Sequence, residues 1–551
     1  MQSSLVDHSQ TALFSSSRND TPLPLYLDDG ADPDDACTSQ GLLNDVEKKQ
    51  RRSSGWQKCC SFGYSLARYC IRRRSKRRLA SLVSKGLLVS TASLFVLTPF
   101  LAPSYLHPPE HYNRLAARCE SLYNGPEESI ERIHGCANLF DEKVFISVSL
   151  YDKDGHLTGG EWGKSLIELV RLLGPNNVFV SIYENDSGRR SATAPEHLRR
   201  LLPCRNVVVY DDHVSLDPFP SVTMPDGTRR IKRLAYLAEM RNRALRPLNT
   251  LDGVGGTVFD RVLFLDDVAF RPIDAAQLLF STNVVDPEDG GAEYLSACAL
   301  DYKKPFLFYN LYAQRDAEGF SNGLPIFPYF SDAGQGLSRA DMLAQKDAVR
   351  VQSCWGGMVA TDARYIQHRN SSLLTPNFQE LGRHVVDPVH PVGVSAPVRF
   401  RYEPEIFFDA CECCLLLADI SRAASVARAP ASRTGVFVNP YVRVAYDQTT
   451  LRHLRIVQRW ERLFAIPQPL ISRLANLPTH NPHRQVREGD TFIEEVWNAQ
   501  AKSWSLETRR GRNGLFCGVR EMQVMDQQPR TEDKNWLNVA IPPNQSLDFP
   551  S

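Results

Sequence analysis

From Lys143 to Asp267 short apolar runs alternate with stretches of helical period, and nothing else in the chain narrows the possible folds so far. Val144–Leu150, Val178–Tyr183, Asn206–Tyr210 and Arg261–Leu265 read as strands, each a brief run rich in β-branched or other apolar residues. Trp162–Leu173, Pro195–Leu202 and Ile231–Leu245 read as helices, the first stopped by Gly174-Pro175 and the last by Pro247. Strands and helices alternating at this spacing call for an α/β domain with a mostly parallel sheet covered on both faces. The composition, 42% apolar and 23% charged, is that of a globular protein, and a net charge of +1 points to no class of partner.

The fourth strand ends on Asp266 and Asp267. In open α/β sheets ligands lie outside the carboxyl ends of the strands, so an acidic pair there is placed to hold a divalent cation on a phosphorylated ligand. The competing reading is a solvated turn whose acids cap the next element. The helix Leu237–Leu245 sets Glu239, Asn242 and Arg243 within one turn, on a side that could reach the strand-end acids, and arginine suits bidentate recognition of phosphate. A solvated helix face would look the same. After the second strand, Glu184, Asn185, Asp186 and Ser187 offer oxygen-rich side chains at another carboxyl edge, or simply a turn. Glu412 lies in an apolar, cysteine-rich segment before Leu415-Leu416-Leu417, where a carboxylate is either buried with a partner or functional.

Charge is unevenly distributed. Arg72, Arg73, Arg74, Lys76, Arg77, Arg78 and Lys85 precede Gly86–Pro109, which holds no Asp, Glu, Lys or Arg. Its apolar part, Leu87 to Leu106, has the roughly 20 residues that a bilayer-spanning helix needs, with Pro99 and Pro103 expected to kink it. The basic flank places residues 1–85 in the cytosol as a disordered tail, 86–107 in the membrane as a signal anchor, and the rest in the lumen. The basic run has no interleaved aromatics, so no nucleic-acid partner is expected. A stem at 108–140, a catalytic domain at 141–446 and a partly disordered C-terminal extension at 447–551 complete the division. Nine of the 13 cysteines fall on the lumenal side, an odd number that leaves at least one unpaired. Cys411, Cys413 and Cys414 are too crowded for paired zinc ligation. Asn370 and Asn544 stand in sequons on that side and are expected to carry glycans.

Taken in order, Val178-Phe-Val-Ser-Ile-Tyr-Glu-Asn-Asp-Ser187, Ala238-Glu-Met-Arg-Asn-Arg-Ala-Leu245, Val262-Leu-Phe-Leu-Asp-Asp-Val268, Ser353-Cys-Trp-Gly-Gly357, Phe400-Arg401, Glu412-Cys413 and Asn439-Pro-Tyr-Val-Arg443 form a series. With this spacing the chain resembles the fungal α-1,3-mannosyltransferases of the cryptococcal capsule-associated family, over residues 140 to 446. The resemblance implies a GT-A-like nucleotide-diphospho-sugar transferase fold and a type II Golgi glycosyltransferase. It implies GDP-mannose as donor with Mn²⁺ (or Mg²⁺), and transfer to a mannose-containing glycan or polysaccharide. By that likeness Asp266 and Asp267 hold the metal, while Glu184, Asp186, Arg241, Asn242, Arg243 and Trp355 line the donor.

An α-linked donor giving an α-linked product means net retention, by a carboxylate nucleophile or a same-face path, and Glu412 and Asp409 are the carboxylates assigned to nucleophile or base. The family usually has Asn-Asp at the position of Asp266-Asp267 and Trp-Asn-Gly at that of Trp355-Gly356-Gly357. The second departure removes an amide near the sugar. Two rival readings stay open: a non-catalytic lumenal capsule or cell-wall assembly or trafficking protein on the same fold, and the same enzyme with another donor such as UDP-xylose or UDP-glucose.

Overall fold

The structure, a computed structural model, describes residues 62–123, 135–188, 193–249, 254–286, 290–367, 397–430, 434–477, 482–526 and 535–542. The sequons at Asn370 and Asn544 and the first 61 residues lie outside them. Two compact units meet in the chain at Leu97 and Thr98.

The first unit carries most of the helix Phe62–Leu101. Its Ala80–Leu101 portion is long and apolar enough to cross a membrane. Leu87, Leu88 and Phe95 are more than half exposed. Thr91 donates its hydroxyl to the carbonyl of Leu87 at 2.8 Å, which satisfies a polar group inside the apolar segment. The helix stops at Leu101, two residues before Pro103, because proline disfavours helical backbone in the residue preceding it.

The second unit is α/β. Its strands are β1 (Val144–Leu150), β2 (Val178–Asn185), β3 (Arg205–Asp211), β4 (Ser221–Thr223), β5 (Arg229–Ile231), β6 (Arg261–Leu265), β7 (Ser296–Lys304), β8 (Leu307–Phe308), β9 (Arg315–Asp316), β10 (Val349–Ser353), β11 (Met358–Asp362), β12 (Asp409–Ala410) and β13 (Val436–Ala445). The central sheet runs β3-β2-β1-β6-β11-β7-β13-β10-β9, with β8 on β7. From β3 to β6 all neighbours are parallel, Val144 pairing with Val178 on one side and Arg261 on the other. β11 is inserted antiparallel between β6 and β7, and β13 returns parallel to β7.

Strand side chains alternate between faces, and the core divides accordingly. Val144, Ile146, Val148, Leu263 and Leu265 pack with Trp162, Leu166 and Leu169 of the helix Glu161–Leu173 and with Leu278 of the helix Pro272–Phe280. Phe145, Val262 and Phe264 pack on the other face with Leu234 and Ala238 of the helix Arg233–Ala244 and with Leu415 and Leu416 of the helix Glu412–Val426. Buried on both faces, β1, β2 and β6 need apolar residues almost throughout, which is why their spans are readable from sequence.

The expected boundary after Tyr446 is not found among the described residues. Glu461 is buried and bidentate with Arg443 of β13, Arg315 of β9 donates to the carbonyls of Phe516 and Cys517, and Cys517 is disulfide-bonded to Cys414. Residues 447–477 and 482–526 are therefore built into the catalytic body, because a buried arginine must have its anion and its carbonyl acceptors wherever they lie in sequence. The hairpin Thr491–Asn498 with Ser503–Arg510 belongs to this part. Of the nine cysteines after the apolar helix, six form Cys119–Cys136, Cys298–Cys354 and Cys414–Cys517, and Cys204, Cys411 and Cys413 are unpaired.

Candidate active site

β6 delivers Asp266 to the carboxyl edge of the parallel strands. Its backbone is fixed from both sides: the amide donates to Gly357 at 2.9 Å, and the carbonyl accepts from the Trp162 indole at 3.1 Å. The carboxylate is buried, and Arg241 donates to its Oδ1 from Nη1 at 2.7 Å and to its Oδ2 from Nη2 at 3.3 Å. The Trp355 indole also donates to Oδ2, at 2.6 Å. Arg241 lies over the Trp355 ring at 4.7 Å and beside Phe400 at 5.7 Å, so its charge meets two π faces as well as the acid.

The same guanidinium reaches Glu412, its Nε donating to Oε1 at 3.2 Å. Glu412 opens its helix, where a carboxylate is favoured by the helix dipole, and it accepts from the thiols of Cys413 at 3.4 Å and Cys411 at 3.8 Å. The ligand atoms of Cys411, Glu412 and Cys413 lie within 4.8 Å of one another. Arg241 supplies the cation there. Burial disfavours the Arg241 charge, but Asp266, Cys413 and Glu412 more than offset it and hold its pKa above the ordinary value.

Asp267, half-buried, follows Asp266. The pairing of Ala269 with Ala445 brings the end of β13 alongside it, so Tyr446 stands opposite Val268. Tyr446 donates to Asp301 at 3.1 Å. Burial, and then the charges of Asp301, Asp267 and Asp266, raise the Tyr446 pKa. Burial likewise pushes the Asp301 carboxyl up to about 7, with the Asp266 charge adding to it. Asp301 was not singled out from sequence. Its signal was there, a lone acid within the apolar run Leu295–Tyr302, the pattern that drew attention to Glu412.

The other residues expected in the site hold its walls. Asn242 both donates to and accepts from the Phe400 backbone, at 2.8 and 2.9 Å, and so pins that ring against Arg241. Arg243 is occupied by Glu239 at 2.9 Å and Asp211 at 3.1 Å and lies over Tyr183. Asp186 accepts from His213 at 2.8 Å and Tyr236 at 2.9 Å, closing the loop after β2. Glu184 shares its face of β2 with Ile182, so it turns toward the helix Glu161–Leu173 and away from Arg241. It is fully buried beside Ser187, and burial pushes it up to about 8 despite that hydroxyl's opposing effect.

Asp409, expected to act as nucleophile or base, is engaged elsewhere. Its carboxylate is 2.6 Å from Lys232 Nζ and accepts from the Gln523 amide at 2.8 Å, and Lys232 also donates to the carbonyls of Glu403, Glu405 and Phe408. The two charges are almost fully enclosed. This is a structural pin between the start of the helix Arg233–Ala244, the segment before Glu412 and the C-terminal segment, an ion pair separate from the one Arg241 makes with Asp266 and Glu412.

Gly356 has φ 63°, and a Cβ there would fall 1.9 Å from the Ala299 carbonyl. The departure from Trp-Asn-Gly is thus a backbone requirement of the close approach of this turn to β7. Cys298–Cys354 ties the same turn to β7 and keeps Trp355 over Arg241.

An α/β sheet carries Asp266 at its parallel carboxyl edge, joined by one arginine to a second buried acid; the chain's class is glycosyltransferase, of mannosyltransferase type. The family described as Cryptococcal mannosyltransferase 1 matches residues 143–419, half of the chain, and the chain belongs to that family.

No curated protein matches it. Among solved structures, a mannosyltransferase, PcManGT from Pyrobaculum calidifontis, in complex with GDP-Man and Mn²⁺, is similar at 9% identity and a TM-score of 0.26, covering 71% of this chain and 87% of its own. A mycobacterial protein, at 12% identity and 0.24, covers 70% and 89%. Mannosyl-3-phosphoglycerate synthase from Rubrobacter xylanophilus, at 12% and 0.23, covers 75% and 92%.

Proposed function

We propose that the chain is a membrane-anchored, metal-dependent enzyme that takes mannose from GDP-mannose and places it α-1,3, with retention, on a mannose-containing glycan or polysaccharide. One arrangement carries the reading: Arg241 spans Asp266 at the end of β6 and Glu412 at the head of its helix, beneath Trp355. The strand-end acid and the second acid are thereby held in one electrostatic unit.

The residues suit a divalent cation, Mn²⁺ or Mg²⁺. Asp266, Asp267 and Asp301 gather about Tyr446, whose pKa their charges all raise, so carboxylates are concentrated where a cation could sit. Asp267 would be the principal ligand, with Asp266 offering a remaining lone pair, since its oxygens already accept from Arg241 and Trp355. A cation there would neutralise charge developing on the leaving diphosphate. Glu412, aimed by Arg241, serves as nucleophile or base, and Asp409 is withdrawn from that role. Asn242 and Arg243 shape the nucleotide side through Phe400 and Tyr183, and Asp186 orders the loop above them. The apolar helix supports single-pass anchoring, and three disulfides support a lumenal, Golgi setting.

Transfer of radiolabelled mannose from GDP-mannose by the full chain, with linkage analysis of the product, tests this. Asp267→Ala is expected to abolish transfer and leave the fold intact. Transfer that survives this change, or that occurs only from UDP-xylose or UDP-glucose in a donor panel, refutes the metal or the donor assignment respectively.

A further inference from the structure

The helix Pro467–Leu474 is packed the opposite way from a helix in water. Its inward residues are Gln468 and Ser472, four apart and both buried. Gln468 accepts from Arg339 at 2.6 Å, and the Ser472 hydroxyl accepts from the Leu324 amide at 2.9 Å. Its outward residues are Ile466, Leu470 and Leu474, again four apart, at 83%, 60% and 78% exposure, with Ile471 beside them. A polar face inside and an apolar ridge outside calls for an apolar medium on the outer side.

Two observations identify that medium. Tyr105 lies four residues beyond the end of the apolar helix, so chain geometry keeps it within about 14 Å of Leu101. The Tyr105 carbonyl accepts from Gln458 at 3.4 Å, and Gln458 opens the 3₁₀ segment Gln458–Ala465 that leads into Ile466 over about 16 Å. These links hold the start of the ridge within about 40 Å of Leu101, where the apolar helix ends. In addition, residues 458–477 carry Arg459, Arg462 and Arg473; the one acid among them, Glu461, is buried on Arg443, and Arg473 is paired with Asp332.

We infer that this ridge docks on the lipid surface from which the anchor emerges, its isoleucine and leucines in the boundary between headgroups and acyl chains and its arginines toward anionic headgroups. The inference rests on the membrane-anchored reading above. It makes the catalytic unit a body held to the membrane at two places, with a fixed face toward the lipid.

The test uses the full chain in vesicles of phosphatidylcholine and phosphatidylserine, with an environment-sensitive fluorophore at Leu474→Cys, at Leu94→Cys within the apolar helix, or at Arg200→Cys; the unsubstituted chain corrects for native thiols. With the ridge about 5–10 Å deep, a nitroxide carried on the lipid should remove about half of the Leu474→Cys emission and leave Arg200→Cys unchanged. Adding Ile466→Ser and Leu470→Ser, both at exposed positions, should abolish that quenching. Quenching at Leu94→Cys but not at Leu474→Cys overturns the inference and leaves anchoring standing. Quenching at neither overturns both. Emission at Leu474→Cys lost instead to a second labelled copy, and recovered on dilution with unlabelled chain, overturns it in favour of self-association.

Discussion

Replacing Arg241 by methionine should show how far this site depends on one charge. The change keeps most of the side-chain volume but removes the one cation ion-paired with Asp266 and Glu412 among the described residues, their side chains being 8% and 4% exposed. Removing one member of a buried pair costs about 3–5 kcal/mol, because the other is left as an uncompensated buried charge. The two acids share one cation and so do not count twice. At about 2 °C per kcal/mol, the low end for large domains, the loss of melting temperature is roughly 6–10 °C. Thermal unfolding of the full chain in detergent reads this directly. Adding Glu412→Gln should return part of the loss, and acid should narrow it, since a stranded carboxylate can then take up a proton. A loss below about 2 °C would refute the view that Arg241 holds the site together.

Gly356→Asn, which restores the residue usual in the family, should destabilise by about 1–3 kcal/mol, since positive φ and the approach to Ala299 both oppose a side chain; unfolding that matches the parent chain would show that the turn can move. Glu184 has its folded pKa raised from 4.5 to about 8, so it favours the folded state most at low pH, and that stabilisation is lost as pH rises through this window by about 1.4 kcal/mol per unit. Melting temperature measured from pH 5 to 8 should fall accordingly in the parent, and Glu184→Gln should flatten the profile; equal slopes would contradict this. Asp409→Asn should lower stability by about 3 kcal/mol while the folded fraction keeps its specific activity, checked by unfolding and transfer assay together; a stable but inactive variant would return Asp409 to the catalytic list.

The parallel half of the sheet could be read to the residue at β1 and β6, because strands covered on both faces are mostly apolar and, in β1, the two serines do not break the run. β7 was harder to read, because Asp301 and Lys303 in its later half break the apolar pattern of a buried strand. The C-terminal segment was misjudged for a related reason. Its hairpin carries charged residues on an exposed face, and its helix Pro467–Leu474 faces the wrong way for the usual pattern. In the site, Asp266 and Glu412 were legible as acids in apolar surroundings. That one arginine joins them was not, since Arg241 stands beside Arg243 on the same helix and only packing decides which of the two turns inward. The ion pair that holds Asp409 was not legible either, since its partner, Lys232, lies far upstream and local spacing says nothing about it.

The Cys414–Cys517 bond also sets an order of events during synthesis. The helix bearing Glu412 leaves the ribosome 103 residues ahead of Cys517, a delay of about 5–20 s at ordinary elongation rates. Throughout that interval Cys414 is a thiol next to Cys411 and Cys413, and a disulfide formed among these three would twist the start of the helix that presents Glu412 to Arg241. Any such early pairing has to be undone by thiol–disulfide exchange before Cys414 can join Cys517.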